Sequence, residues 1–278
     1  MNFFERISKV DSRVIFTLLW VIMCIFLIFP MGIPLVPSAH TMRAYTWIRE
    51  NIREGDIISL SFDYDFGNMP ENFTGQLAIM RMAMEVNARV VTTAMWASGG
   101  LVAERAIEAL AEEWPDKVYG VDFIHLGFKP GAATFISNLM DDVFMASAHV
   151  DAFNQPLDQF PIMQDFRRLT DAALVNTGGS GSPGAHQWVE IYAVPSGRPY
   201  IGSIESVSIP GHVQNVAAGV MTAMIPGMRG SAEMEQLTGA VSMSSAAMDA
   251  QAAVHMLVII LIVLGNLNFF LLRNKVSR

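Results

Sequence analysis

Residues 254–272 read VHMLVIILIVLGNLNFFLL, contain no Asp, Glu, Lys or Arg, and run directly into Arg273-Asn274-Lys275. Hydrocarbon offers a peptide group no hydrogen-bond partner. A segment that enters a bilayer must satisfy its backbone internally, and a helix of about 20 apolar residues does so. The sequence therefore predicts a helix over 246–272 that enters and spans a membrane, led in by an Ala-, Ser- and Met-rich tract. Asn266 and Asn268 within it favour a partner's hydrogen bonds over lipid, unless they lie at the interface that Arg273 marks.

A second apolar stretch, 14–36, reads VIFTLLWVIMCIFLIFPMGIPLV and is long enough to span with some tilt. A cleaved signal peptide is the rival reading, but Pro37-Ser38-Ala39 is a poor small-x-small cleavage site. A lipoprotein signal is a poor fit too, because Met23 stands where a small residue is wanted before Cys24. A retained helix is expected, with Pro30 and Pro34 marking its exit. Both ends of the chain are basic: Arg6, Lys9 and Arg13 against Glu5 and Asp11 at one end, Arg273, Lys275 and Arg278 with no acid at the other. By the positive-inside rule, 1–13 and 273–278 are cytoplasmic and the domain over 37–245 is extracytoplasmic, in a two-pass protein of the cytoplasmic (inner) membrane. The bias rests on six basic residues, so a cytoplasmic domain is the alternative.

With those ends removed, 12 of the 18 basic and 24 of the 26 acidic residues remain, so the middle carries −12 although the whole chain carries −8. That balance argues against nucleic acid and against docking on anionic lipid. Two membrane segments account for much of the 52% hydrophobic content, and large buried contacts for the rest. Cys24 is the single cysteine and lies in the first apolar stretch. The middle thus has no disulfide, thiolate metal cluster or cysteine nucleophile.

The middle alternates strand and helix. Strands are expected over 56–63, 89–95, 121–126, 172–175 and 200–205, with helices over 41–54, 70–87, 100–114, 131–144, 185–193, 212–224 and 231–237. Short buried strands between helices predict an α/β fold: a mostly parallel, Rossmann-like sheet with helices on both faces, flanked by the N- and C-terminal transmembrane helices. The strand order is not readable from this pattern.

Ligands of such sheets sit beyond the carboxyl ends of the strands. Four loops lie there: 61–65 (SFDYD), 96–100 (WASGG), 127–131 (GFKPG) and 176–184 (NTGGSGSPG). In the last, Gly179-x-Gly181-x-x-Gly184 matches the dinucleotide fingerprint, with Glu205 about twenty residues on. Against a cofactor stand its late position, the donor lost at Pro183, and an extracytoplasmic site. A tight strand-to-helix turn is favoured and no cofactor is expected. Gly179, Ser180 and Gly181 stay as ligand-binding candidates. Lys129 beside a helix start could hold a carboxylate or phosphate, or simply be a surface lysine in a turn. Asp63 and Asp65 point to opposite sides of the backbone, so only one readily faces a cleft; paired carboxylates could bind metal or do acid–base work, but the favoured reading is that they cap the next helix or brace neighbouring loops.

The six histidines show no zinc spacing, and no metal site is expected. No Walker loop, Gly-x-Ser-x-Gly elbow or His-Glu-x-x-His occurs, and no residue is assigned a catalytic role. His125 reads as a core residue, and His186 and His212 each follow a strand. Asn72-Phe73-Thr74 is a formal glycosylation sequon.

Ser61-Phe62-Asp63-Tyr64-Asp65 after the first strand and Leu126-Gly127-Phe128-Lys129-Pro130-Gly131 after the third resemble loops of a group of uncharacterised bacterial and archaeal membrane-anchored α/β proteins. The likeness covers most of residues 40–240, with Phe128 where that group carries tyrosine. It implies that these two loops matter, and it carries no activity.

Two functions follow. One is a structural or assembly subunit of a homo-oligomer or larger membrane complex, without catalysis of its own. Its partners would be the bilayer, its own copies and other membrane proteins, through Asn266, Asn268 and Met- and small-residue-rich helices. The other is an extracytoplasmic enzyme or ligand-binding module acting at the strand-end loops.

Overall fold

The structure is a computed structural model that describes residues 10–179 and 181–276, with side chains up to residue 270. Arg6, Lys9, Ser180 and Arg278 lie outside the described residues, as do the side chains of Arg273 and Lys275. The described helices are α1 (Ser12–Ile28), α2 (Ala39–Asn51), α3 (Met69–Glu85), α4 (Ala97–Glu113), α5 (Ala133–Asp141), the single turn α6 (Val143–Ala146), α7 (185–196, with a π turn at Val189–Ala193), α8 (Ile209–Ala217), α9 (Gly227–Leu237) and α10 (Met243–Val276). The strands are β1 (Ile57–Phe62), β2 (Arg89–Ala94), β3 (Phe123–Phe128), β4 (Leu174–Gly178), β5 (Tyr200–Ile204) and β6 (Ala223–Pro226). The chain divides into two compact units, Leu35–Ala240 and the pair Met1–Pro34 with Val241–Arg278.

The larger unit is an α/β fold. Its six strands form one sheet in the order β3-β2-β1-β4-β5-β6, and every pairing is parallel. This is the doubly wound order, in which the chain reverses direction between β1 and β4. Alternation along β1 sends Ile58, Leu60 and Phe62 to one face, where they pack with Ile48 of α2, Leu77 of α3, Leu110 of α4 and Met234 of α9. Ile57 goes to the other face, with Ile136 of α5, Trp188 of α7 and Val216 of α8. Burial on both faces is why the strands read as short apolar runs. α3 and α9 approach closely: a Cβ on Gly75 would sit 2.8 Å from the Ser231 hydroxyl, which donates to the Glu71 carbonyl at 2.7 Å.

The structure differs from expectation at several edges. The helix expected over 212–224 stops at Ala217, Gly219 turns the chain at φ 75°, and Ala223–Pro226 forms a sixth strand beside Ile201 of β5. Ala-Met-Ile-Pro is too short to carry a period, and its pairing partner is distant in sequence. β3 starts later than expected because Asp122 accepts from the Val118 N–H and holds that stretch in a turn. The outer edge of β3 is shielded: Gly120 N–H donates to the Phe123 carbonyl and Ala152 N–H to the His125 carbonyl.

In the smaller unit α1 covers Ser12–Ile28, so the helix expected over 14–36 is shorter and the chain leaves helical structure at Phe29. Prolines 30 and 34 explain the break. One helix among the described residues, over Met243–Phe270, is long and apolar enough to cross a membrane; Ser12–Ile28 is a shorter apolar helix. α1 packs along α10. Between the two prolines only Met31, Gly32 and Ile33 carry N–H groups, and the buried Asp249 carboxylate accepts from all three, at 2.8, 2.7 and 3.0 Å. One side chain of α10 thereby satisfies the whole exit segment of α1.

Candidate functional site at the strand ends

The reversal point of the sheet brings the ends of β1 and β4 together. Asp63, one residue past β1, donates its N–H to the Gly178 carbonyl at 3.0 Å. Its side chain is 1% exposed and accepts three hydrogen bonds: from Ser61 Oγ at 2.7 Å, from Met95 N–H at 2.9 Å and from Trp188 Nε1 at 2.7 Å. β1, the end of β2 and α7 are thus fastened to one carboxylate. Burial pushes its pKa up to about 6 although the three donors pull the other way.

Gly179 crosses directly over Asp63. Its φ is 103°, and a Cβ there would fall 2.1 Å from the Asp63 carbonyl oxygen, so only glycine fits. Its N–H is shared by the Ser203 carbonyl and Asn72 Oδ1, each at 3.3 Å. Beyond it the loop closes on itself. Ala185 N–H donates to the Gly179 carbonyl at 2.9 Å, Gly184 N–H to Gln187 Oε1 at 3.0 Å, and Trp96 Nε1 to the Pro183 carbonyl at 2.8 Å. Of the N–H groups that a pyrophosphate would use at the start of α7, those of Gly184 and Ala185 already have acceptors, in Gln187 and Gly179. Gly181 is exposed, and a Cβ on it would touch the Trp96 ring at 3.0 Å.

No family model, curated protein or solved structure matches this chain.

Asp63 and Gly179 meet, whereas Gly181 lies on the exposed part of the loop against Trp96. Asp65 is exposed and caps the turn over Phe66–Asn68 by accepting from Gly67 N–H at 3.0 Å. Lys129 is half-buried, with Nζ 3.5 Å from the Val150 carbonyl, and burial lowers its pKa while Asp151 works the other way. Among the described residues no group of three or more His, Cys, Asp or Glu side chains is placed to hold a metal ion. Ser61 is buried and spends its proton on Asp63, so the pair offers no exposed nucleophile.

The polar core under the loops was not readable from spacing. Gln76 of α3 donates to the Ser61 carbonyl at 3.0 Å and to Asn176 Oδ1 at 2.9 Å, and Asn176 donates to the Ile201 carbonyl at 2.7 Å. The available signal was polar residues inside otherwise apolar strands, Ser59, Ser61, Asn176 and Thr177. Asn72 of the sequon is fully buried and donates to the Asn68 carbonyl, so the fold closes it to a glycan. His186 Nε2 lies 3.1 Å from Glu190 Oε1, and burial followed by the nearby His186 lowers the pKa of His212.

Proposed function

We propose that this chain is a membrane-anchored structural or assembly subunit, part of a homo-oligomer or larger membrane complex, with no catalytic activity of its own. The observation that carries the proposal is the apolar surface of the smaller unit. Phe16, Trp20 and Ile28 of α1 are exposed, and so are Ile259, Ile262, Phe269 and Phe270 of α10. Leaving such a surface in water costs roughly 25 cal/mol per Å², so lipid or protein covers it.

In this reading α10 crosses the bilayer and α1 is the second pass. α1 has 17 residues and rises about 26 Å, somewhat less than the ~30 Å hydrocarbon core; local thinning and the apolar residues that follow it cover the difference. Both termini are then cytoplasmic and the α/β unit extracytoplasmic, with the flanking charges as support. Asn266 is exposed on α10, and Asn268 is buried with its Oδ1 unpartnered among the described residues. An amide facing hydrocarbon gains from a hydrogen-bonding neighbour, which favours self-association or another membrane protein. The likeness of 61–65 and 126–131 to a membrane-anchored group fits the same proposal. An enzyme or ligand-binding module at the strand-end loops has less support, because Asp63 is engaged on both oxygens and the start of α7 is closed by its own loop.

Alkaline carbonate extraction and cysteine labelling test the anchor. The full chain stays with the membrane pellet. In a Cys24→Ala background, Val207→Cys reacts with an impermeant maleimide on intact cells and Asn274→Cys does not. Release by carbonate removes the anchor, and the reversed labelling pattern puts the α/β unit in the cytoplasm.

A further inference from the structure

A cleft of about 350 Å³ opens where α4 passes the edge strand β3. Its walls are apolar and aromatic: Ile107 and Ala111 from α4, Phe123 from β3, and Tyr119 and Phe153 from the segments that shield the edge. The Tyr119 ring meets Phe123 at 6.1 Å and Phe153 at 5.7 Å, with ring planes 75° and 65° apart. The rings therefore form a corner instead of a stack. One buried carboxylate sets the corner: Asp151 accepts from the Tyr119 hydroxyl at 2.9 Å on Oδ2 and from the Phe153 N–H at 2.8 Å on Oδ1. Such preorganisation lowers the ordering cost of binding.

Charge at the cleft is uneven. Glu104 and Glu108 of α4 line it, and among the described residues neither carboxylate forms an ion pair or hydrogen bond. Lys117 lines it too, but its ammonium donates to Asn87 Oδ1 at 2.6 Å and pairs with Asp122 Oδ1 at 3.5 Å. His125 is 3% exposed, and burial lowers its pKa to about 4, so it adds no positive charge at neutral pH. Arg105 lies beside both glutamates on α4 but does not line the cleft, and an aromatic corner beside two carboxylates that no ion pair engages suits a cation with an apolar body, since ring faces and carboxylates attract the same charge. An organic anion meets like charge, and a neutral molecule gains only apolar burial.

We propose that this cleft binds a small organic cation, an ammonium group carried on an apolar body of about ring size. Titration calorimetry on the full chain in detergent compares phenethylammonium with 2-phenylethanol, an uncharged molecule of similar shape. The ammonium binds about tenfold more tightly or better. Glu104→Gln with Glu108→Gln weakens the ammonium about tenfold and leaves the alcohol unchanged, while Phe153→Ala weakens both. Glu108 and Phe153 are exposed, so an unchanged unfolding midpoint without ligand certifies the fold, and Glu108→Gln alone serves if the double variant fails that check. Equal affinity for amine and alcohol, no ammonium binding at millimolar concentration, or ammonium binding indifferent to the glutamine variants overturns the proposal. So does capture of a lysine-containing peptide without any binding of the free amine, which would mark a protein-docking surface instead.

Discussion

Among the described residues Asp63 has no compensating cation: its three partners are a hydroxyl, a backbone amide and an indole N–H. Burial raises its pKa from 3.8 to about 6, so the folded state holds the proton more tightly than the unfolded chain. The stability this contributes is fully present below about pH 4 and is lost as pH rises through 6, an effect of about 3 kcal/mol. Asp63→Asn keeps one acceptor oxygen but turns an amide toward Trp188, costing about 1–3 kcal/mol at low pH. The expected outcome is that thermal unfolding midpoints of the two proteins converge between pH 4 and pH 7; a constant separation contradicts the assignment. The period of two along a strand already separates Asp63 from Asp65. It cannot show that the inward carboxylate is held by Trp188, because nothing local marks a partner so far along the chain. Asn72 makes the same point: its sequon is local, and its burial against Gly179 is not.

Legibility also changes from one element to the next. Strands such as Ile-Ile-Ser-Leu-Ser-Phe announce themselves by β-branched and apolar runs, and α4 by its wet row of Glu104, Glu108 and Glu112. β6 does not, since Ala and Met favour a helix and only its pairing with β5 makes it a strand. The glycine-rich loop after β4 matches a phosphate-binding spacing, yet Gly179 and Gln187 supply the acceptors that a phosphate would replace. In the smaller unit the Pro30–Pro34 exit reads as a helix end, while its fastening by Asp249 depends on α10 lying alongside. Asp249→Ala leaves three N–H groups without their carboxylate and costs about 2–4 kcal/mol. Amide exchange at Met31, Gly32 and Ile33 should accelerate sharply in that variant, with amides of β1 unchanged. Unaltered exchange at those three positions would remove the fastening role.

At the scale of the molecule, two kinds of surface sit on one chain. The α/β unit has a doubly wound sheet, an acidic exterior and its reversal point bound up in a polar core, whereas the smaller unit exposes apolar side chains along both its helices. The sheet and the apolar segments are legible as patterns of period and length. The strand order is not, because it depends on which distant strands share an edge. The proposed membrane assembly rests on α1 and α10, with Asn266 left for a neighbour. Native mass measurement of the full chain, extracted from its own membrane in mild detergent, tests it most directly. The expected mass is a multiple of one chain, or one chain plus other membrane proteins, reduced toward the single chain by Asn266→Leu. A clean monomer, unchanged by that substitution, would contradict it.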